Sequence, residues 1–341
     1  MGLFGPSEIT GIDIGAGSLK VVRLAPGGKR PKLLSAGLVE FSLEPGQESV
    51  ATDLRFLLSE KKIGRSNVIT QMPGKDLTIR SFTLPKMPRA ELAEAVRWEA
   101  KRHISYPLDA ALVEYLITGE KREGTADKLE LVMVAAERAR VVDHLAPLIE
   151  ANIKLTAVDA NALALRNALH LLDRPDDVTT AVVDIGAGKT EIDIFKGGVL
   201  RFSRCLESGG LDMTRAIADT VGVGLPEAEE LKRAMNMLTP PEQDKVVDAV
   251  RTVLDGLLLE IRRSVEYYKT TFREPGVVGT RLTGGVSLML GIKEYFAQSL
   301  EGPIELDQPF EQLTLKKKQL EEFGHMAPRF SAAIGMALRK A

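Results

Sequence analysis

The sequence predicts an α/β protein built from two related halves, and two observations lead to this prediction. The segment Asp-Ile-Gly-Ala-Gly occupies positions 13–17 and recurs letter for letter at positions 184–188. Each copy lies between two apolar runs with strand character, and in each half a glycine pair then leads into a third such run. Internal repetition of this kind indicates duplicated structural units.

The apolar runs place three consecutive strands in each half, because short Val- and Ile-rich runs bounded by turn residues are typical of β-structure. These strands are predicted at 9–14, 19–24 and 33–41, and at 179–185, 190–196 and 199–206. Further strands are predicted near 67–72, 77–84, 111–118, 129–136, 277–283 and 303–307. Apolar residues at helical spacing predict helices at 90–103, 139–150, 160–172, 211–221, 226–237, 243–272, 287–299 and 328–340.

Each repeat therefore reads as strand, glycine turn, strand, with an acid near the end of its first strand. Glycines let the backbone approach a ligand closely, and successive N–H groups in such a turn can hold phosphate oxygens. The acids Asp13 and Asp184 would instead hold a hydrated Mg²⁺, which uses one or two carboxylates together with substrate phosphates. The alternative is a pair of ordinary β-hairpins with glycine in the turn. The residues predicted to contact phosphate are Gly15, Ala16, Gly17, Ser18, Lys20, Gly186, Ala187, Gly188, Lys189 and Thr190.

Two other nucleotide-binding motifs do not match this chain. Gly188-Lys189-Thr190 resembles the end of a Walker loop, but Val183 stands where its first glycine is required. The Rossmann fingerprint also fails, because Glu191 replaces its third glycine. Neither turn is predicted to open directly into a helix.

Composition sets further limits on the function. A length of 341 residues, with 44% hydrophobic and 27% charged residues, is typical of a globular protein with more than one domain. The net charge of −2 gives no electrostatic reason to expect nucleic acid. The single cysteine, Cys205, excludes an intramolecular disulfide, and no apolar run is long enough to span a membrane. We therefore expect a cytoplasmic protein without direct membrane insertion.

Two segments leave alternatives open. Residues 81–155 form a distinct stretch whose helix carries the only tryptophan, Trp98, so that Trp98 belongs either to a core or to an aromatic-lined groove for a peptide. The C-terminal helix is rich in small residues. It is expected to be buried in the first half, and the alternative is binding to a membrane surface.

The two turns, together with a later glycine pair after a strand, resemble the actin-like ATPase superfamily. This resemblance implies ribonuclease H-like duplicated lobes that bind ATP and Mg²⁺ between them. Its adenosine motif is similar to residues 282–287, and 158–165 and the helix ending at 340 resemble its two connecting helices. The residues that the resemblance assigns to the nucleotide beyond the two turns are Gly209, Gly210, Glu229, Lys232, Gly284, Gly285 and Ser287.

Within that superfamily the chain resembles the PilM family of type IV pilus assembly, through segments such as 96–100, 104–107, 228–232 and 333–339. This implies an adaptor that binds the cytoplasmic N-terminal peptide of the inner-membrane protein PilN, beside further inner-membrane components. The implied location is peripheral to the inner membrane through that partner. The implied subdomains are IA (1–80, 156–178 and 310–341), an FtsA-type IC insertion (81–155), IIA (179–209 and 274–309) and IIB (210–273).

One departure from the superfamily pattern concerns hydrolysis. Actin-like hydrolases place Gln or Glu at the start of the first connecting helix, and alignment on the small-residue run places Asp159 there. Asp159 is thus a predicted catalytic residue with Asp13 and Asp184. Its side chain is one methylene shorter than Glu, so we expect robust binding and slow hydrolysis. The alternatives are a small-molecule kinase of the same superfamily and an FtsA-like filament-forming ATPase.

Overall fold

The computed structural model describes residues 8–43, 49–169, 175 and 177–339. The predicted helix ends at 170–172 and at 340 lie outside these residues. The described chain forms two five-stranded sheets and one three-stranded sheet, with helices between and around them. No described helix has the length and apolar character that crossing a membrane requires.

The first sheet consists of β1 (Ile9–Ile14), β2 (Ser18–Ala25), β3 (Lys32–Glu40), β4 (Val68–Met72) and β8 (Leu155–Ala160). Its strand order is β3-β2-β1-β4-β8. Strand β1 pairs antiparallel with β2 and parallel with β4, and β4 pairs parallel with β8. Helices α1 (Val50–Glu60) and α3 (Arg138–Glu150) pack on one face, and α4 (Asn161–Ala168), α9 (Lys317–Phe323) and α10 (Ser331–Ala337) pack on the other. We call this unit lobe 1.

The second sheet repeats the first in order and direction, as β11-β10-β9-β12-β13. Its strands are β9 (Thr179–Ile185), β10 (Thr190–Lys196), β11 (Val199–Leu206), β12 (Gly279–Thr283) and β13 (Ile304–Leu306). The helices on it are α5 (Gly210–Val221), α6 (Leu225–Ala234), α7 (Lys245–Phe272) and α8 (Ile292–Ala297). We call this unit lobe 2. The matching order of the two sheets confirms the duplication that the repeated segment predicts.

The third sheet, with the order β5-β7-β6, lies between β4 and β8 in the chain. It consists of β5 (Leu77–Pro85), β6 (Ala111–Glu123) and β7 (Ala126–Glu137), and α2 (Arg89–Ala100) covers one face. The strands predicted at 111–118 and 129–136 are too short, because β6 and β7 continue as a paired ribbon to a tight turn in which Gly124 has a positive φ. A ribbon exposed on both faces needs no alternation of apolar residues, so the sequence pattern does not reveal it.

Strand β8 is the other correction, because the sequence predicts a helix from residue 160 and no strand before it. The parallel ladder with β4 extends to Ala160, and α4 begins only at Asn161. Thr156 and Val158 are exposed on this edge strand, so its apolar content is too low to indicate a strand.

The C-terminal helix α10 is buried along its whole length, which confirms burial in lobe 1. Its backbone contacts its neighbours directly. A Cβ at Gly335 would overlap the carbonyl oxygen of Ala164 in α4, and a Cβ at Gly11 in β1 would overlap the carbonyl oxygen of Ala333. Helix α4 in turn packs Ala162 and Leu165 against the second sheet, so α4 and α10 join the two lobes.

Candidate functional site

The two glycine turns face each other at the junction of the lobes. A backbone hydrogen bond closes each turn in the same way, from Gly15 N to Ser18 O (3.0 Å) and from Gly186 N to Lys189 O (2.9 Å). A Cβ at Gly17 would lie 2.8 Å from the Cβ of Ala187, so glycine here lets the two turns lie against each other.

The two hairpins correspond in backbone structure, but the residue paired with each acid differs, and the pKa values of the two acids are shifted in opposite directions. In the first hairpin Asp13 is paired across the strands with Lys20, whereas in the second Asp184 is paired with Glu191. Lys20 Nζ lies 2.9 Å from Asp13 Oδ2, and both side chains are nearly buried. Burial would raise the pKa of Asp13, but the charge of Lys20 and the hydrogen bonds from Lys20 and Gln71 together outweigh burial, and the pKa is lowered. Burial, and then repulsion from Glu191, raises the pKa of Asp184 to about 6.

Three polar residues that the sequence did not suggest complete the group around these acids. Gln71, at the end of β4, donates from Nε2 to Asp13 Oδ1 at 2.7 Å. Asn161 Nδ2 donates to Asp184 Oδ2 (2.9 Å) and to Glu191 Oε2 (3.0 Å). A polar residue at the carboxyl end of a strand parallel to β1 is a signal that could have identified Gln71.

The third of these residues, Glu191, is almost fully buried and forms hydrogen bonds with the second turn and its neighbours. Its carboxylate accepts hydrogen bonds from Lys189 Nζ and from the backbone N–H of Gly74 (3.0 Å). Burial would lower the pKa of Lys189, but the negative charge of Glu191 raises it overall. Lys189 is therefore a firmly charged cation at the second turn.

The structure does not bring Asp159 into this group. Its carboxylate lies 3.6 Å from a guanidinium nitrogen of Arg339, and burial raises its pKa against that attraction. Asn161, the first residue of α4, contacts the acids of the second turn instead. The alignment that selected Asp159 is therefore displaced by two positions, because α4 begins at Asn161.

The other predicted residues form a second cluster beside the second turn. Lys232 Nζ contacts Gly210 O (2.8 Å), Thr214 Oγ1 (2.7 Å) and Glu229 Oε2 (2.6 Å). Burial lowers the pKa of Lys232. Burial would raise the pKa of Glu229, but its hydrogen bonds, the one from Lys232 foremost, lower it. The start of α5 joins this cluster to the second turn, since Gly210 N donates to Gly186 O at 2.9 Å and Gly209 is packed against the same turn.

The glycine pair after β12 closes the cluster from the other side. Gly284 has φ of +83°, and a Cβ there would overlap Asp184 Oδ1, so this position requires glycine for two independent reasons. Gly285, in contrast, borders open space. Two of the predicted side chains are already engaged: Thr190 Oγ1 donates to Ser208 O, and Ser287 Oγ donates to Gly284 O.

A cavity of about 280 Å³ opens between the lobes next to this cluster. Its lining residues are Ser42, Leu43, Pro226, Glu229, Glu230 and Arg233. Next to this cavity, Glu40 of lobe 1 forms ion pairs with Arg233 of α6 (3.1 Å) and with Arg329 (2.7 Å). These ion pairs were not predicted, because the three residues are far apart in sequence.

Trp98 lies away from the cleft, on α2 of the third sheet. Its side chain is 61% exposed, and the Lys101 ammonium lies 5.3 Å from the ring centroid. The interpretation of Trp98 as a core residue is therefore wrong. An aromatic ring this exposed on a folded domain is available for contact with another molecule.

Comparison with known proteins supports the fold. A solved PilM-PilN type IV pilus biogenesis complex contains a chain that is 28% identical, with a TM-score of 0.84 and coverage of 97% of this chain and 98% of that one. MreB 5 of Spiroplasma citri bound to AMPPNP is 11% identical, with a TM-score of 0.52 and coverage of 97% and 95%. The fold is thus actin-like, with ribonuclease H-like duplicated lobes.

Sequence comparison adds the family. The cell division protein FtsA of Neisseria meningitidis serogroup B is 24% identical over 318 residues, which are 82% of this chain and 74% of FtsA. The family described as type IV pilus assembly protein PilM matches residues 11–341. Because that match spans nearly the whole sequence, this chain belongs to the PilM family.

Proposed function

We propose that the chain binds ATP with Mg²⁺ between its two lobes and binds the cytoplasmic N-terminal peptide of PilN. The observation that carries the nucleotide part is the junction of the two glycine turns. There, the buried carboxylate of Asp13, the half-buried carboxylate of Asp184, two lysines and the backbone of both turns lie within one cluster. Carboxylates suit Mg²⁺, and lysines with backbone N–H groups suit phosphate, so the residues present fit Mg-ATP.

Within this proposal each residue has a separate task. Asp13 and Asp184 would hold the metal, which when bound neutralises phosphate charge. Lys20 and Lys189 would contact phosphate oxygens, and the open side of Gly285 together with Glu229 and Lys232 would face the adenosine. Asn161 has a side chain one methylene shorter than the Gln that actin-like hydrolases place at the start of this helix, so it would orient an attacking water poorly and we propose that hydrolysis is slow.

The partner proposal rests on the similar solved complex, in which PilM is assembled with PilN. The third sheet offers a contact surface for such a peptide, because Trp98 on α2 and Ile117 on β6 are large and exposed. An extended or helical peptide with apolar anchors fits a surface of this kind. We propose that the third sheet, from Leu77 to Glu137, is the IC insertion, a narrower unit than the predicted range 81–155 because α3 packs on lobe 1. Binding to PilN would then place the protein at the inner membrane.

A titration of a fluorescent PilN N-terminal peptide, with and without Mg-ATP, tests the proposal. We expect binding whose Kd differs by about fivefold or more between the two conditions, which is the lower range of coupling between sites. Asp184→Asn is the control and should bind the peptide without responding to Mg-ATP. Absence of peptide binding in both conditions contradicts the partner, and a Kd that ignores Mg-ATP contradicts the coupling.

The raised pKa of Asp184 predicts a pH dependence. Because Mg²⁺ binds the carboxylate form, its affinity should fall as the pH drops through about 6, by about tenfold between pH 7 and pH 5. The unliganded fold responds in the opposite direction. Because the pKa of Asp184 in the folded chain is raised above its ordinary value of 3.8, this residue contributes folding stability at low pH. That contribution is lost as the pH rises through about 6. Calorimetric titration with Mg-ATP at several pH values measures the first effect, and any dependence left in Asp184→Asn belongs to the ligand.

A further inference from the structure

Glu191 connects the second glycine turn to the third sheet through three donors from three parts of the fold. Lys189 belongs to the turn itself, Asn161 to the start of α4, and Gly74 to the short 3₁₀ turn between β4 and β5. Strand β5 is the first strand of the third sheet. One buried carboxylate thus links the candidate nucleotide cleft to the chain segment that enters the candidate partner surface.

The contact between Glu191 and Gly74 leaves no free space. A Cβ at Gly74 would lie 2.7 Å from the carboxyl carbon of Glu191 and 2.8 Å and 3.0 Å from its two oxygens. Any displacement of the carboxylate toward this turn must therefore displace the backbone at residue 74.

The third sheet also contacts lobe 2 at a second place, away from the second turn. Ser81 Oγ in β5 donates to Leu200 O in β11 at 3.1 Å, and Arg201 pairs with Glu130 of β7 at 3.0 Å. Apolar residues of the two sheets pack together between these contacts. The third sheet is therefore attached to lobe 2 at both the turn and the edge strand.

We propose that Glu191 is a positioning residue that transmits occupancy of the cleft to the third sheet. This inference rests on the proposed nucleotide binding. An anion at the second turn competes with Glu191 for the charged Lys189, because a cation shared between two anions binds each more weakly. Glu191 then redistributes its hydrogen bonds toward Asn161 and the Gly74 N–H, and the start of β5 shifts with it.

The test uses Glu191→Gln, which keeps the side-chain size but replaces one acceptor oxygen with a donor. Hydrogen–deuterium exchange of residues 74–85 with and without Mg-ATP is the direct readout, and PilN-peptide affinity is the second. We expect Mg-ATP to change exchange at 74–85 in the original protein. In Glu191→Gln we expect Mg-ATP affinity to be retained within about tenfold while the ratio of peptide affinities with and without Mg-ATP falls to about 1.

Two further variants separate the relay from a general loss of structure. Gly74→Ala inserts a methyl group against the carboxylate and should also abolish the exchange response. Glu274→Gln alters another lysine-paired acid, which is less buried than Glu191 and lies 2.6 Å from Lys196 at the far end of β10, and should keep the response. A full exchange response in Glu191→Gln would overturn the relay alone. Absence of Mg-ATP binding in the original protein would overturn the relay together with the proposed function.

Discussion

The Asp13→Asn protein is expected to lose all stabilisation by Mg-ATP. Asp13 is buried at the end of β1 and is a proposed metal ligand, so the substitution removes the negative charge that would hold Mg²⁺. At a nucleotide concentration one hundred times the Kd, the original protein should gain about 2.7 kcal/mol in free energy of unfolding. Chemical denaturation with and without Mg-ATP measures this gain, which should be close to zero in the variant.

The same substitution leaves a buried cation without its ion-pair partner, and this second effect needs its own control. Lys20 is 9% exposed and loses its partner, which costs about 3 kcal/mol of folding free energy. The double variant Asp13→Asn/Lys20→Met removes both charges and should recover most of that loss. If Asp13→Asn retains the full gain from Mg-ATP, Asp13 is not a metal ligand. If the double variant is as unstable as Asp13→Asn, the ion pair is not the cause of the instability.

Gly335→Ala is expected to lower the free energy of unfolding by at least about 3 kcal/mol, at the upper end of the usual cost of overpacking. The new methyl group would overlap the carbonyl of Ala164, and backbone cannot rotate away as a flexible side chain can. The helix pair α4 and α10 would have to separate, which disturbs the junction of both lobes. Urea denaturation followed by circular dichroism measures the change.

Gly256→Ala is the matched control, because Gly256 also lies inside a helix, α7, but a Cβ there meets nothing within 4 Å. Alanine should stabilise this helix by up to about 1 kcal/mol, since glycine is the poorer helix former. Equal effects of the two substitutions would show that helical propensity, and not the close packing of α10 on α4, governs position 335.

Much of the fold could be predicted from the sequence because its signals are local. The repeated segment identifies two equivalent hairpins, and the apolar runs place β1 to β3 and β9 to β11 within one or two residues of their observed ends. Gly284 also marks a backbone conformation that few other residues adopt. Strand β8 and the outer part of the β6–β7 ribbon, near residues 119–128, were missed, because exposed strands lack the apolar alternation on which such predictions depend.

The composition of the candidate site depended on contacts between residues that are far apart in sequence. The repeat alone placed Asp13 and Asp184 at the two turns, but gave them the same environment. Lys20 and Glu191 follow these acids within the same hairpins, but only the folded chain buries both side chains beside them. It also places Asn161, and not Asp159, beside Asp184, and it brings Gly74 to Glu191. Burial, charge pairing and backbone contact arise when separate elements pack, so local sequence determines the turns while tertiary structure determines their chemistry.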